Sequence, residues 1–182
     1  MEDRLSEEEK ALLLEIARQA IVSYIETGFL SERHERFPHL LEKRGCFVTI
    51  KIEGNLRGCI GNFTSDRPLY QLVREMALSA ALKDPRFKPM AKEELNNFTL
   101  EISVLTPLRK ISAIDEIVVG EHGLYIVKNF SRGVLLPQVA TEYGWDRETF
   151  LNHTSMKAGM EADAWKNGAD IYIFSADVFN EK

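Results

Sequence analysis

The chain has 182 residues, 45% of them hydrophobic and 28% charged. That length suits one domain, or one domain with two lobes, and it buries enough surface to need no disulfide or metal for folding. A net charge of −5 argues against a sequence-independent DNA binder, which carries a basic stripe.

The local cluster Lys83, Arg86, Lys88 and Lys92 reads as a solvated surface. The start, Met1-Glu2-Asp3-Arg4, is acidic, whereas a signal peptide begins basic and turns apolar. No apolar run approaches the roughly 20 residues that span a bilayer, so no membrane association is expected. With only Cys46 and Cys59 as thiols, the expected compartment is the reducing cytoplasm.

In chain order, Ser6-Glu7-Glu8-Glu9 is a capping box. Leu13, Ile16, Ala17, Ala20, Ile21, Tyr24 and Ile25 then form the stripe of an amphipathic helix, which Gly28 ends. A polar loop runs from Ser31 to Leu41. Cys46 to Ile52 is a strand rich in β-branched residues, Gly54-Asn55 a turn pair, and Leu56 to Ile60 the return strand. Asp66 is a candidate cap for a helix with Pro68 in its first turn and a stripe from Leu69 to Ala81; Asp84-Pro85 stops it. Phe98 to Leu105 alternates, with Thr99, Glu101 and Ser103 on its polar face.

A second hairpin runs from His122 to Leu136, turning near Asn129 to Gly133. Pro137 and Asp146 open two helices, and Gly159 closes the second. Ile171 to Val178 is apolar at both parities and reads as one strand buried on both faces. Two hairpins demand antiparallel pairing and the scattered helices cover the sheet, so the predicted class is α+β, an antiparallel β-sheet flanked by helices.

The chemistry concentrates on Leu56-Arg57-Gly58-Cys59-Ile60-Gly61. A two-residue turn at Gly54-Asn55 sets Ile52 opposite Arg57 and Ile50 opposite Cys59. Arg57 and Cys59 then share a face. Gly58 and Gly61 flank the cysteine, and glycine in a strand marks a bulge or a close approach by a ligand or another backbone. An adjacent guanidinium favours the thiolate, the reactive form. Cys59 is therefore a candidate nucleophile, with Arg57 its stabiliser or an anion binder.

The competing reading makes Cys59 a small core hydrophobe, consistent with Ile50 and Ile52 opposite. Cys46, beside Phe47 and Val48, reads as core. It lies four residues from Ile50, on the order of 13 Å at about 3.3 Å per residue, too far for a disulfide to Cys59.

The histidines add less. His34 and His39 sit five apart in a loop, and metal motifs such as HExxH and CxxC are absent. His122 is a candidate general base or a turn histidine; His153 is helix packing. Glu101 lies on a polar face that is either solvent or a cleft wall. Asp84-Pro85-Arg86-Phe87 reads as structural, with Phe87 plugging the core and Arg86 pairing with a carboxylate. Trp145 and Trp165 read as packing anchors. No phosphate loop, nucleophile elbow or dinucleotide fingerprint is present.

The hexapeptide Leu56 to Gly61 resembles the signature of the AMMECR-type family, known in prokaryotes as AmmeMemoRadiSam system protein A. Gly45 to Thr49, Asp84 to Phe87, Ile102 to Pro107, His122 to Leu124, Leu135 to Ala140, and Lys157 to Met160 with Trp165 extend the likeness. The resemblance implies an α+β fold of a larger and a smaller lobe, with a cleft near the signature hairpin. The residues read above supply the candidate catalytic residues Cys59, Arg57 and His122, and the binding residues Gly58, Gly61 and Glu101. No cofactor is expected, and the resemblance implies a site more than a set reaction. The implied partners are a Memo-like and a radical SAM protein; a small molecule or nucleotide is the expected ligand. A non-catalytic scaffold is the alternative. In one departure, Ser155 stands where relatives are expected to carry cysteine, which puts a second thiol in doubt.

Overall fold

The computed structural model describes residues 4–181; the acidic start at Met1-Glu2-Asp3 lies outside them. The chain separates into two compact units, Met1–Leu105 with Asp177–Lys182, and Thr106–Ala176.

The first unit begins with helix α1, Glu7–Thr27. Its capping box forms: Ser6 Oγ accepts the Glu9 amide and Glu9 accepts the Ser6 amide. Gly28 closes it in the left-handed region at φ 77°, where glycine carries no Cβ penalty. Leu13, Ile16, Ala17, Ala20 and Ile21 bury as the stripe predicts, while Tyr24, in the last turns, is exposed. The loop that follows contains a short helix, α2, Pro38–Leu41, started by its own proline. His39, from that turn, places Nδ1 3.0 Å and 3.1 Å from the two Glu9 carboxylate oxygens.

Strands β1 (Cys46–Ile52) and β2 (Asn55–Asn62) form the first hairpin. Helix α3, Leu69–Leu82, starts after Pro68, and Asp66 does not cap it. Strand β3, Phe98–Leu105, alternates as read.

The first sheet has the order β2-β1-β3-β8, where β8 is Ala176–Asn180. Its inner face, with Val48, Ile50, Leu100 and Ile102, packs with Leu69, Val73 and Ala77 of α3 and Leu13 of α1 into one core. Glu181 ties the end of β8 down: it accepts Arg18 Nε and Nη2, both at 2.6 Å, and the Leu100 amide.

The second unit holds β4 (Arg109–Lys110), β5 (Gly123–Lys128), β6 (Ser131–Leu135) and β7 (Asp170–Phe174), in the order β4-β7-β5-β6. Helices α4 (Pro137–Glu142) and α5 (Arg147–Lys157) lie between β6 and β7 in the chain. Asp146 caps α5, accepting the Thr149 amide at 2.8 Å. Ile117, Leu124, Ile126, Phe150, Leu151 and Ile173 form this unit's own core.

The expected single terminal strand is two strands in two sheets. Its double parity holds only in β7, where the adjacent Ile173 and Phe174 are both buried; in β8 Phe179 is buried and Val178 is exposed. The expected one sheet is likewise two antiparallel four-stranded sheets, and the class is α+β. The second unit is thus inserted between β3 and its sheet neighbour β8. The Thr106 amide donates to the Ser175 carbonyl, and the Ser175 amide to Thr106 Oγ1, both at 2.8 Å, joining the two ends of the insert.

Candidate functional site

The hairpin turns one residue earlier than its glycine suggests. Ile52 pairs with Asn55, and the turn residues are Glu53 at φ 51° and Gly54 at φ 79°. Both left-handed values match the primed turn that strand twist favours. The register then shifts between Ile50 and Lys51: Lys51 faces Leu56, but Ile50 faces Gly58. Arg57 is the extra residue of this bulge.

The consequence falls on Cys59. Its partner is Thr49, not Ile50, and a one-residue change of register reverses the face on which every side chain lies. Cys59 therefore leaves the apolar face predicted for it. It shares the outer face with Phe47, Thr49 and Lys51 of β1 and Glu101 and Ser103 of β3. Cys59, Thr49 and Glu101 stand in one row across three adjacent strands. Cys59 is half-buried, and the Thr49 hydroxyl donates to its Sγ at 3.2 Å. Lys51 Nζ donates to Glu101 at 2.9 Å.

The two glycines of the motif are explained by packing. Gly58 faces helix α3, where an added Cβ would lie 2.1 Å from the Ala80 carbonyl oxygen. Gly61 lies under the Phe47 ring; a Cβ there would sit 2.3 Å from that ring and 2.4 Å from the Cys46 carbonyl oxygen.

Arg57 does not point its charge at the thiol. Its Nε donates to Glu94 at 2.6 Å, and its Nη2 to Glu94 and the Lys88 carbonyl. The guanidinium beside Cys59 is Arg86. Its Nη2 lies 3.4 Å from the Cys59 carbonyl oxygen, while its Nε and Nη2 hold Asp84 at 3.0 Å and 2.7 Å. Asp84 is buried and accepts the Cys59 amide at 2.9 Å. Hydrogen bonds from Arg86, then those from the Cys59 and Arg86 amides, outweigh its burial and hold its carboxyl well below the usual range. Hydrogen bonding to Asp84, then charge attraction to Asp84 and Cys59, raises the Arg86 guanidinium above its ordinary value against partial desolvation.

Phe87, expected to plug the core, is half-buried, with Arg57 and Arg86 5.7 Å and 5.6 Å from its ring centroid. Asp84-Pro85-Arg86-Phe87 thus covers the open edge of β2 at Cys59.

The remaining candidates lie elsewhere. Cys46 is fully buried on the inner face, where burial pushes its thiol far up; both cysteines are free, as their separation predicts. His122 belongs to the second unit, and its Nδ1 accepts the Val118 amide at 3.1 Å. His153 stacks on Trp145 at 3.9 Å between ring centroids, and Tyr143 stacks on the same indole at 5.0 Å. Ser155 is fully buried in α5.

Sequence reading passed over two members of the site. Thr49 was visible as the middle residue of the polar parity Phe47, Thr49, Lys51. Asp84 reads in the sequence as a helix stop and as part of the structural Asp84-to-Phe87 segment, because nothing local marks it as the carboxylate that reaches the Cys59 amide. Among the described residues, no group of three or more His, Cys, Asp or Glu could hold a metal, and no helix is long and apolar enough to cross a membrane.

The family model described as AMMECR1 matches residues 14–179. The chain belongs to the AMMECR1 family. It is similar to "Protein Mbar_A1807" of Methanosarcina barkeri, at 41% identity over 98% of this chain and 93% of that one. It is similar to "Protein MJ0810" of Methanocaldococcus jannaschii, at 41% identity over 97% and 92%. Among solved structures it resembles uncharacterized protein PH0010 from Pyrococcus horikoshii, at 40% identity and a TM-score of 0.76, covering 94% of this chain and 90% of that one. AMMECR1 membership rests on nearly the whole chain, and the named relatives carry no stated activity.

Proposed function

We propose that Cys59 is the reactive thiol of this AMMECR1 chain, acting as a catalytic component of a modification system. The observation that carries the reading is the Thr49 hydroxyl donating to Sγ at 3.2 Å on the half-buried polar face. A hydrogen bond to the charged form favours that form, and the thiolate is the nucleophile. Arg86 supplies the nearby positive charge that was expected of Arg57, which Glu94 occupies instead. Glu101 and Lys51 supply one charge of each sign for orienting a polar ligand, a small molecule or nucleotide. Gly58 and Gly61 let β2 lie close against α3 and Phe47, which fixes the height of the thiol. His122 has no part in this proposal, since its Nδ1 already accepts a backbone amide.

A second reading, a non-catalytic scaffold for Memo-like and radical SAM proteins in the cytoplasm, draws on a separate observation. Phe130, at the tip of the β5–β6 hairpin, is fully exposed, and exposed aromatic side chains are enriched as interface anchors.

Alkylation of Cys59 from about pH 5 to 10, read by peptide mass spectrometry with Cys46 as control, separates the two. The catalytic reading expects fast labelling of native Cys59 at neutral pH while Cys46 stays unlabelled until the chain unfolds. It also expects Thr49→Val to slow labelling near neutral pH and Thr49→Ser to restore it. Labelling of Cys59 only on unfolding, in step with Cys46, would remove the nucleophile and leave the scaffold.

A further inference from the structure

We infer that the first unit carries a second site, a cavity between α1, α3 and the loop after Gly28 that binds the carboxylate end of a small, partly apolar molecule. It lies on the helical side of the unit, whereas Cys59 lies on the outer face of the sheet, so neither site depends on the other.

Gly28 ends α1, and the loop that follows is tied to both helices. Arg33 Nη1 donates to Gln19 Oε1 of α1 at 2.8 Å, and Arg74 Nη2 of α3 donates to the Ser31 carbonyl at 2.6 Å. Between these two ties remains a cavity of about 210 Å³. Ile16, Ala20 and Leu30 give it an apolar wall; Gln19, Ser23 and the two guanidinium groups give it a polar one. Sites that enclose a whole drug-sized ligand measure roughly 300–1,000 Å³, so this one takes an acid group on a short body.

Its charges are not balanced. Arg33 is already neutralised, since its Nε donates to Glu35. Arg74 donates to a neutral carbonyl, and its neighbour Glu75 pairs with Arg67 at 3.0 Å instead. Among the described residues, no carboxylate forms an ion pair with Arg74. Glu32 lines the cavity too, but it is exposed, where water and salt screen its charge.

The unbalanced charge is therefore a single positive one. A guanidinium presents five N–H donors in a planar fork, and a carboxylate matches that fork with two parallel bonds. The Ser31 carbonyl holds the Arg74 fork in place through Nη2 and leaves Nε and Nη1 for a ligand. A carboxylate neutralises one positive charge, whereas a phosphate dianion would leave a negative charge over. The apolar wall selects a hydrocarbon body beside the acid group.

Benzoate, phenyl phosphate and benzamide serve as probes on the full chain, read by nitrogen–proton NMR of the arginine Nε–H and backbone amide signals. Salt at about 0.1 M suppresses attraction to exposed charges. Benzoate is expected to shift the Arg74 Nε–H and the Ser23 and Ser31 amides saturably and to bind more tightly than phenyl phosphate, while neutral benzamide leaves them in place. Arg74→Gln should weaken benzoate by about tenfold or more, the worth of a hydrogen bond to a charged group. Because that variant also loses the tie to Ser31, Ser23→Leu is the second one: it keeps both arginines, narrows the cavity and should weaken benzoate as well. Tighter binding of phenyl phosphate, or equal shifts with benzamide, overturns the carboxylate assignment. No saturable shift with benzoate, or unchanged affinity in both variants, overturns the site. Neither result alters the labelling expected of Cys59.

Discussion

Replacing Ser155 should stabilise the second unit. Ser155 lies in α5 at 0% exposure, and its Oγ has no hydrogen-bond partner. Its neighbour Thr154 is just as buried, but donates to the Phe150 carbonyl at 2.7 Å. A buried hydroxyl left unpaired costs about 1–3 kcal/mol. Ser155→Ala removes that cost and adds roughly 0.5 kcal/mol of helix propensity. It gives back up to about 1 kcal/mol of lost packing where the oxygen stood. The net expectation is a gain of about 1 kcal/mol, and the same direction for Ser155→Cys, whose sulfur fills the space without demanding a partner.

Urea unfolding is a direct assay. The chain's two tryptophans, Trp145 and Trp165, both lie in the second unit, so their emission reports on it. At an m-value of about 2 kcal/mol/M, the midpoint should rise by about 0.5 M with m unchanged. A lower midpoint in both variants would refute the argument and mean that the hydroxyl has an acceptor, the Leu151 carbonyl one turn earlier being the nearest in sequence. The result also bears on the expected cysteine at this place. A thiol here would be sealed in the core, so Ser155 removes no accessible second nucleophile.

Acid should weaken the first unit through Asp84 and Glu9. Both carboxyls sit below their ordinary values: Asp84 by its bonds from Arg86, Glu9 because the Ser6 amide and His39 together outweigh its burial. A depressed folded pKa contributes stability above the unfolded value of about 4 and loses it as pH falls through the folded one. The urea midpoint followed by circular dichroism should therefore hold from pH 7 to about 5 and fall below about 4; an undiminished fall in Asp84→Asn would count against Asp84. Gly58→Ala should cost about 3 kcal/mol by overpacking against the Ala80 carbonyl, whereas Gly54→Ala, in open space at φ 79°, should cost only about 1 kcal/mol. Equal midpoint losses in the two variants would show that α3 gives way.

What could be read from the sequence was whatever local chemistry dictates. The Ser6–Glu9 box, the Gly28 stop, the Asp146 cap and the alternation of β3 each depend on residues within one turn or one strand. The site was legible as a motif but not as a surface. The bulge at Arg57 is a single-residue irregularity, yet it decides whether Cys59 faces Ile50 or Thr49, and turn residues alone did not reveal it. Arg57 and Arg86 were exchanged in role because Glu94, which holds Arg57, lies 37 residues away in the chain, and Asp84, which carries Arg86 to Cys59, lies 25 residues from that cysteine. The run from Ile171 to Val178 was misread because hydrophobic parity records burial and does not say in which sheet.

The insertion of the second unit between β3 and β8 sets an order of events during synthesis. β8 leaves the ribosome only after all of Thr106–Ala176. Until then the β3 side of the sheet is an unpaired edge, and the Arg18 guanidinium, which later grips Glu181, has no carboxylate there to bind. Closing so long a loop is cheap in entropy, since the cost grows only with the logarithm of length. The delay is therefore a matter of time rather than of free energy. A nascent chain stalled within the insert should expose the β3 edge to other strands, and one released past Glu181 should not.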